Sequence, residues 1–205
     1  MPFIQKSLPP RPSFKPVAEG DQIKGQIKDF IWETLKVIVI SLAIIIPVRY
    51  FLIQPFYVKG ASMEPNFYDH EYLIIDEISY RLSEPGRGDV IVFRYPNDPS
   101  QFFIKRIIAL PLETISLNNG QIKISNDKNP AGFMLDENSY LPNTHTQGSI
   151  NITLEANQYF IMGDNRSSSL DSRMFGPIER ADIIGRAWIR GWPFERATVF
   201  KQATY

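Results

Sequence analysis

Apolar positions fall into two regimes along this chain. Over residues 30–53 they run almost unbroken, with the centre Val-Ile-Val-Ile-Ser-Leu-Ala-Ile-Ile-Ile-Pro-Val at 37–48. From Phe56 onward they come in short runs of Ile, Val, Phe and Tyr punctuated by Pro and Gly, which is the pattern of β-strands. The runs predict strands over 71–76, 89–94, 102–110, 114–117, 150–154, 158–162 and 184–189. Leu117-Asn118-Asn119-Gly120-Gln121-Ile122 reads as a hairpin, with Asn119-Gly120 supplying the positive φ its turn needs. Residues 126–149 are polar and irregular, part of a loop-rich insertion near 118–150. No internal repeat is present, and no long amphipathic helix is expected after the apolar segment.

Crossing a bilayer takes ~20 residues. The uninterrupted centre is shorter, so a span would include Lys36 or Arg49 near its ends, and both side chains can snorkel. Trp32 and Tyr50 fall where an aromatic belt would lie. A buried core helix is the alternative on hydropathy alone. A cleaved leader is disfavoured, because the polar stretch before the segment is long and no small-x-small site follows it. The polar tail, residues 1–29, carries Pro2, Pro9, Pro10, Pro12 and Pro16, and its first twenty or so residues are expected to be disordered. Lys6, Arg11, Lys15, Lys24 and Lys28 favour a cytoplasmic N-terminus. The expected organisation is a cytoplasmic tail at 1–29, a single-pass transmembrane signal-anchor helix at 30–53 and a β-rich domain at 54–205.

With 205 residues, the chain suits one modest domain plus an appendage. Lys and Arg total 22, as do Asp and Glu, a balance without the footprint of a nucleic-acid binder. Cysteine is absent, which removes thiol catalysis and the usual zinc spacings, so no metal and no cofactor are expected.

Candidate chemistry lies in three segments. Ser62 sits in Lys59-Gly60-Ala61-Ser62-Met63-Glu64-Pro65, where Gly60 permits close backbone approach. A serine needs a base, and neither His70 nor His145 has the neighbours of a triad. A neutral lysine can serve instead. An exposed lysine titrates at ~10.4, so it must be buried without full compensation to be neutral near pH 7. Lys105 fits that need. In a strand it shares a face with Phe103, Ile107 and Ala109, while Ile104, Arg106, Ile108 and Leu110 share the other. A surface lysine at a strand edge is the bland alternative, as an ordinary loop serine is for Ser62. In Gly163-Asp164-Asn165-Arg166-Ser167-Ser168-Ser169-Leu170-Asp171-Ser172-Arg173, a tight turn precedes Asp171 and Arg173, which can form a bidentate pair, and Ser169 offers a second hydroxyl. A solvated loop explains that composition equally well.

Taken in order, the apolar segment, Ser-Met-x-Pro, the Lys-Arg strand and Gly-Asp-Asn-Arg…Asp-Ser-Arg resemble the type I signal peptidases (leader peptidases). The resemblance covers residues 32–194. It implies an all-β, mainly antiparallel catalytic domain with one N-terminal transmembrane helix, and an enzyme that removes signal peptides from exported preproteins after a small-x-small motif. It implies Ser62 as nucleophile, Lys105 as general base, Ser169 as the residue orienting the lysine, and Asp171 with Arg173 as its supporting ion pair. Ser62 and Gly60 would form the oxyanion hole, and a hydroxyl at position 60 would be tolerated. Met63, Pro65, Gly163, Asp164 and Asn165 would be structural positions near the site. The implied partners are exported preproteins, bound as an added strand, and the lipid bilayer; Phe56, Tyr57 and Phe67, apolar groups near Ser62 in sequence, are candidates for the contact with it. The implied protein is a monomer in a bacterial-type plasma membrane or a thylakoid-like one, with its catalytic domain on the trans side.

Three departures stand out. Asn66 replaces a common Thr, Leu112-Glu113 a common Gly-Asp, and Leu154-Glu155-Ala156-Asn157 a frequent Pro- and Gly-containing turn. Two rival readings are a self-cleaving Ser-Lys protease of repressor type and a membrane-anchored β domain that binds a partner without catalysis. The apolar segment argues against the first, and the retained Ser62, Lys105 and Ser169 against the second.

Overall fold

The computed structural model describes residues 19–47, 54–142 and 144–200. The chain divides into two units, Met1–Ile46 and Pro47–Tyr205. In the first, helix α1 spans Glu19–Pro47. The polar stretch 19–29, expected to belong to a disordered tail, is thus helical; residues 1–18 lie outside the described ones. Straight-chain residues such as Glu, Gln and Lys lose little freedom in a helix and let it extend N-terminally. Val37, Ile38, Val39 and Ile40 follow one another around the helix and are all exposed, so α1 is apolar all round over its last turns.

Among the described residues no helix is long and apolar enough to cross a membrane. The reason lies in Asp29, Glu33 and Lys36, which precede an apolar run that ends with the helix at Pro47. Residues 48–53, which completed the expected span, lie outside the described ones.

The second unit is mainly antiparallel β, as the resemblance implies. Strands β1 (Gln54–Tyr57), β2 (Tyr72–Asp76), β3 (Val90–Tyr95), β4 (Asp98–Ala109), β5 (Thr114–Asn118), β6 (Gln121–Asn126), β7 (Asn129–Met134), β8 (Ile150–Thr153), β9 (Gln158–Met162), β10 (Ile178–Glu179), β11 (Ile183–Trp192) and β12 (Thr198–Val199) follow in order. They form a large sheet ordered β1-β2-β11-β3-β4-β9-β10, with β12 on β11, and a small one ordered β7-β6-β5-β8. The region expected to be a loop-rich insertion therefore contains two of the small sheet's four strands, β6 and β7. Asn119 and Gly120 have φ of 49° and 79°, as the β5–β6 hairpin requires.

Strand β3 is buried on both faces and reads as a continuous apolar run for that reason. Val90 and Val92 pack with Val58, Met63, Phe67, Leu73, Ile75 and Ala187. Ile91 and Phe93 pack on the other face with Tyr80, Ile107, Tyr159, Ile161 and Ile183. A third cluster joins the end of β4, through Ile108 and Ala109, to Ile115, Leu117, Ile122 and Ile124 of the small sheet.

Two features of this frame place the site. Strand β4 pairs with β3 from Phe102 to Arg106, but with β9 only from Arg106 to Ala109. Its second edge, from Lys105 back to Asp98, has no strand against it among the described residues. The connection from β1 to β2 is closed at its base by Val58 N–H to Glu71 O (2.8 Å) and His70 N–H to Val58 O (3.0 Å). Met63 and Phe67 of this connection are fully buried, which fixes the loop carrying Ser62 to the core. Phe67 is therefore unavailable to a bilayer, contrary to the sequence expectation.

Candidate active site

Lys105 is the last β4 residue before β9 joins the strand. Its side chain leaves the open edge and meets the β1–β2 loop, where Nζ donates to Ser62 Oγ at 2.8 Å and to the Ile104 carbonyl at 2.8 Å. Only 3% of Lys105 is exposed. The Phe103 ring lies 5.5 Å from Nζ. Burial pushes the Lys105 ammonium from its usual 10.5 down to about 8, against the opposing pull of Asp171 and Asp164. Arg106 points to the other face and donates through Nε and Nη2 to the two oxygens of buried Asp164, at 2.9 and 2.7 Å.

The loop after β9 locks Ser62 in place. Asn165 N–H donates to Ser62 O (3.0 Å), and Asn165 Nδ2 to Ala61 O (3.1 Å). Asp164 N–H points at Met63 Sδ (3.4 Å). At Gly163 there is no room for a side chain: a Cβ would lie 2.2 Å from Ser169 Oγ and 2.4 Å from Ser62 O. Asp171 accepts from Gly163 N–H (3.0 Å) and takes a bidentate bond from Arg173 Nε (2.9 Å) and Nη2 (2.8 Å). It also caps the short helix Ser172–Phe175 by accepting from Arg173 N–H. Burial alone would raise the Asp171 carboxyl, but the Arg173 guanidinium, the Gly163 N–H and the Ser169 hydroxyl outweigh it and hold the group below the usual range. Ser169 Oγ is buried beside this group, yet makes no hydrogen bond to Lys105.

An apolar cleft of about 230 Å³ opens onto Ser62 and Lys105, walled by Phe56, Val58, Leu73, Phe102, Ile104 and Leu170 among others. Among the described residues no cluster of His, Asp or Glu could hold a metal ion. A hydroxyl and a buried amine in contact, at the mouth of an apolar cleft and beside an unpaired strand edge, can attack an extended peptide.

The model of the family described as "Signal peptidase, peptidase S26" matches residues 31–192. The chain belongs to that family. It is similar to the probable signal peptidase I-2 of Synechocystis sp., 36% identical over 188 residues, covering 88% of this chain and 82% of that protein. It is likewise 36% identical over 174 residues to signal peptidase I of Leptolyngbya laminosa, covering 80% and 81%. A crystal structure of a signal peptidase I from Enterococcus faecalis V583 is 28% identical, covers 51% of this chain and 97% of that one, and superposes with a TM-score of 0.42. The chain is a serine endopeptidase.

Within this peptidase the structure brings together Ser62, Lys105, Met63, Gly163, Asp164, Asn165, Ser169, Asp171 and Arg173. Pro65, in the same loop, lines a separate cavity with Asn66, Phe67 and Arg106 and does not line the cleft at Ser62 and Lys105. Gly60 donates through its N–H to Asp69 Oδ1 at 2.8 Å, and that N–H is engaged there. Its φ of 92° is a conformation that side chains disfavour, although nothing lies within 4 Å of where its Cβ would stand. A serine there would be strained by its backbone, not by its size. The Ser62 N–H has no partner among the described residues. Sequence reasoning missed Glu137, Tyr140 and Thr146. Arg166 reaches Glu137 by two bonds of 2.6 and 2.5 Å and Thr146 Oγ1 at 2.6 Å, while its Nε holds Gly163 O at 3.0 Å. Glu137 and Tyr140 are three apart in a polar stretch, a spacing too common to signal anything.

Proposed function

We propose that this peptidase removes signal peptides from exported preproteins with Ser62 as nucleophile and neutral Lys105 as general base. The observation that carries the reading is the 2.8 Å contact between Ser62 Oγ and a lysine amine that is buried and brought down to about 8. A base with that value works close to physiological pH.

Once Lys105 has lost its proton, Ser62 O–H donates to the Nζ lone pair. Ser62 Oγ then attacks the scissile carbonyl while Lys105 takes the proton. The intermediate's oxygen is held by the free Ser62 N–H, and the space beside Gly60 lets the substrate backbone come close. Lys105 returns its proton to the leaving amine, and in the second half it deprotonates the water that releases the acyl group. Asp171, fixed by Arg173, and Asp164, fixed by Arg106, keep the lysine from falling further below its working value. Ser169 supports this arrangement by packing against Gly163 and Asp171.

The substrate joins the open edge of β4 as an added strand, with main-chain hydrogen bonds setting its register. Alternate side chains then face the small apolar cleft, which favours residues such as Ala at the first and third positions before the cut. The apolar segment 30–53 holds the enzyme at the bilayer, its N-terminus cytoplasmic and its β unit on the trans side. Ser62→Ala in the full-length chain should abolish cleavage of an Ala-x-Ala preprotein peptide without changing the thermal melt. Cleavage above a trace, with contaminants excluded, would overturn the assignment.

A further inference from the structure

Asn66 stands in the serine loop four residues after Ser62, and the structure gives its side chain two tasks. Its Nδ2 donates to Asp164 Oδ2 at 2.8 Å and to the Tyr140 carbonyl at 3.0 Å. An amide nitrogen has two N–H bonds, and both are used. A threonine hydroxyl has one and could serve only one of these acceptors. Asn66 also closes the loop on itself, with its N–H bonded to Met63 O at 3.0 Å.

Each acceptor is itself held. The Asp164 carboxylate is gripped by Arg106. The Tyr140 ring lies over the Arg106 guanidinium at 4.1 Å, and Tyr140 O–H donates to Glu137, which pairs with Arg166. The amide thus ties the serine loop to β4, to the turn after β9 and to the segment around residues 137–140.

We propose that Asn66 is a positioning residue, whose amide holds the serine loop against Asp164 and Tyr140 so that Ser62 stays within reach of Lys105. The proposal rests on the reading of Ser62 and Lys105 as the reacting pair. Reaction rates are sensitive to such placement: a shift of about 1 Å can cost on the order of 10²-fold. Loosening the loop would also admit water to Lys105. The charged groups acting on Lys105 are Asp164 and Asp171, held by Arg106 and Arg173, and its other neighbours are the Ser62 hydroxyl and the Phe103 ring. With those carboxylates retained and burial relieved, the amine would titrate higher.

The test uses the full-length chain in detergent with an Ala-x-Ala preprotein peptide, measuring kcat and KM from pH 6 to 10 for the parent, Asn66→Ala and Asn66→Thr. Asn66→Ala should lose on the order of 10- to 100-fold in kcat, keep its KM, and move the acid limb of its pH profile to higher pH. Asn66→Thr, with one donor, should fall between parent and alanine variant. If the alanine variant does not fold, the threonine variant alone should show the smaller kcat loss and limb shift. The proposal is overturned by an unchanged kcat, by a loss confined to KM, by a kcat loss without movement of the limb, or by a loss that only tracks the folded fraction in a thermal melt. Activity in Ser62→Ala would instead overturn the underlying assignment.

Discussion

Lys105 and Arg106 are adjacent, both cationic and both buried, yet their surroundings treat them differently. Arg106 has a dedicated carboxylate with matching bidentate geometry and stays charged. Lys105 meets a hydroxyl, a carbonyl and a ring, and burial lowers it to about 8. A group whose folded value is depressed is a liability wherever it must remain protonated. Below pH 8 both folded and unfolded chains hold the proton, and the folded state bears a cost of roughly 3 kcal/mol, at 1.36 kcal/mol per pH unit. Between about 8 and 10.5 the unfolded chain holds more protons, so stability rises with pH across that window. Lys105→Met should therefore lose at least about 10³-fold in kcat/KM and yet melt higher than the parent at pH 7. That advantage should fade as pH approaches 10. Melting curves at pH 7, 8.5 and 10 check it; a variant less stable than the parent at pH 7 would contradict the electrostatic account.

At the scale of elements, the turn between β4 and β5 explains a departure seen in the sequence. Leu112 has φ of 64°, a left-handed conformation that a residue with a side chain rarely adopts. Its side chain is largely exposed, so packing does not repay the strain. The next residue, Glu113, is buried and accepts from Arg87 Nη2 (2.6 and 2.8 Å), Leu110 N–H (2.8 Å) and Asn126 Nδ2 (2.9 Å). Leu112→Gly should relieve about 1–2 kcal/mol of strain, less ~0.5–1 kcal/mol of added chain entropy, and raise the urea midpoint slightly. Glu113→Ala leaves Arg87 buried without its partner and should cost ~3–5 kcal/mol. Equilibrium urea unfolding of both variants measures the contrast.

The same scale shows what could be read in advance. Strands with their own apolar signal, a continuous run in β3 and β9 and an alternation in β5, lie within a residue or two of where the pattern puts them. Strand β7 does not, because Asn129-Pro130-Ala131-Gly132 carries no strand signal and is extended only by pairing with β6. The two-residue strands β10 and β12 likewise exist through their partners. Within the site, Asp171 and Arg173 were legible because their bond spans two residues. The Asn66–Tyr140 link spans 74 residues, and only the fold brings its ends together.

For the whole molecule, the arrangement of exposed aromatics bears on the bilayer. Tyr57 pairs across strands with Tyr72, and Tyr72 with Trp192, whose ring meets Phe194 at 4.9 Å. All four side chains are exposed. Rings of this kind favour the zone between lipid and water. A chain lacking residues 1–53 should still cleave peptides, aggregate in plain buffer and be rescued by detergent, and it should co-sediment with lipid vesicles. Replacing Trp192 and Phe194 together by serine should weaken sedimentation without a matching loss of peptide cleavage in detergent. A truncated unit that is soluble and indifferent to lipid would place membrane attachment entirely in the N-terminal segment.

Among the described residues strand β4 leaves one edge unpaired from Lys105 back to Asp98, and under the proposed function, in which substrate joins there, that edge has to stay open. A bare edge recruits any extended chain, a second copy of the protein included. What protection there is must come from the end remote from the chemistry. There Asp98 accepts from Ser100 Oγ at 2.6 Å and Gln101 Nε2 at 2.7 Å, so the strand tip offers a carboxylate and polar groups to a newcomer. The apolar residues Phe102, Phe103 and Ile104 follow immediately, where a guest is wanted. Hospitality and self-restraint thus divide a single strand between them, and neutralising Asp98 would tilt it toward indiscriminate pairing.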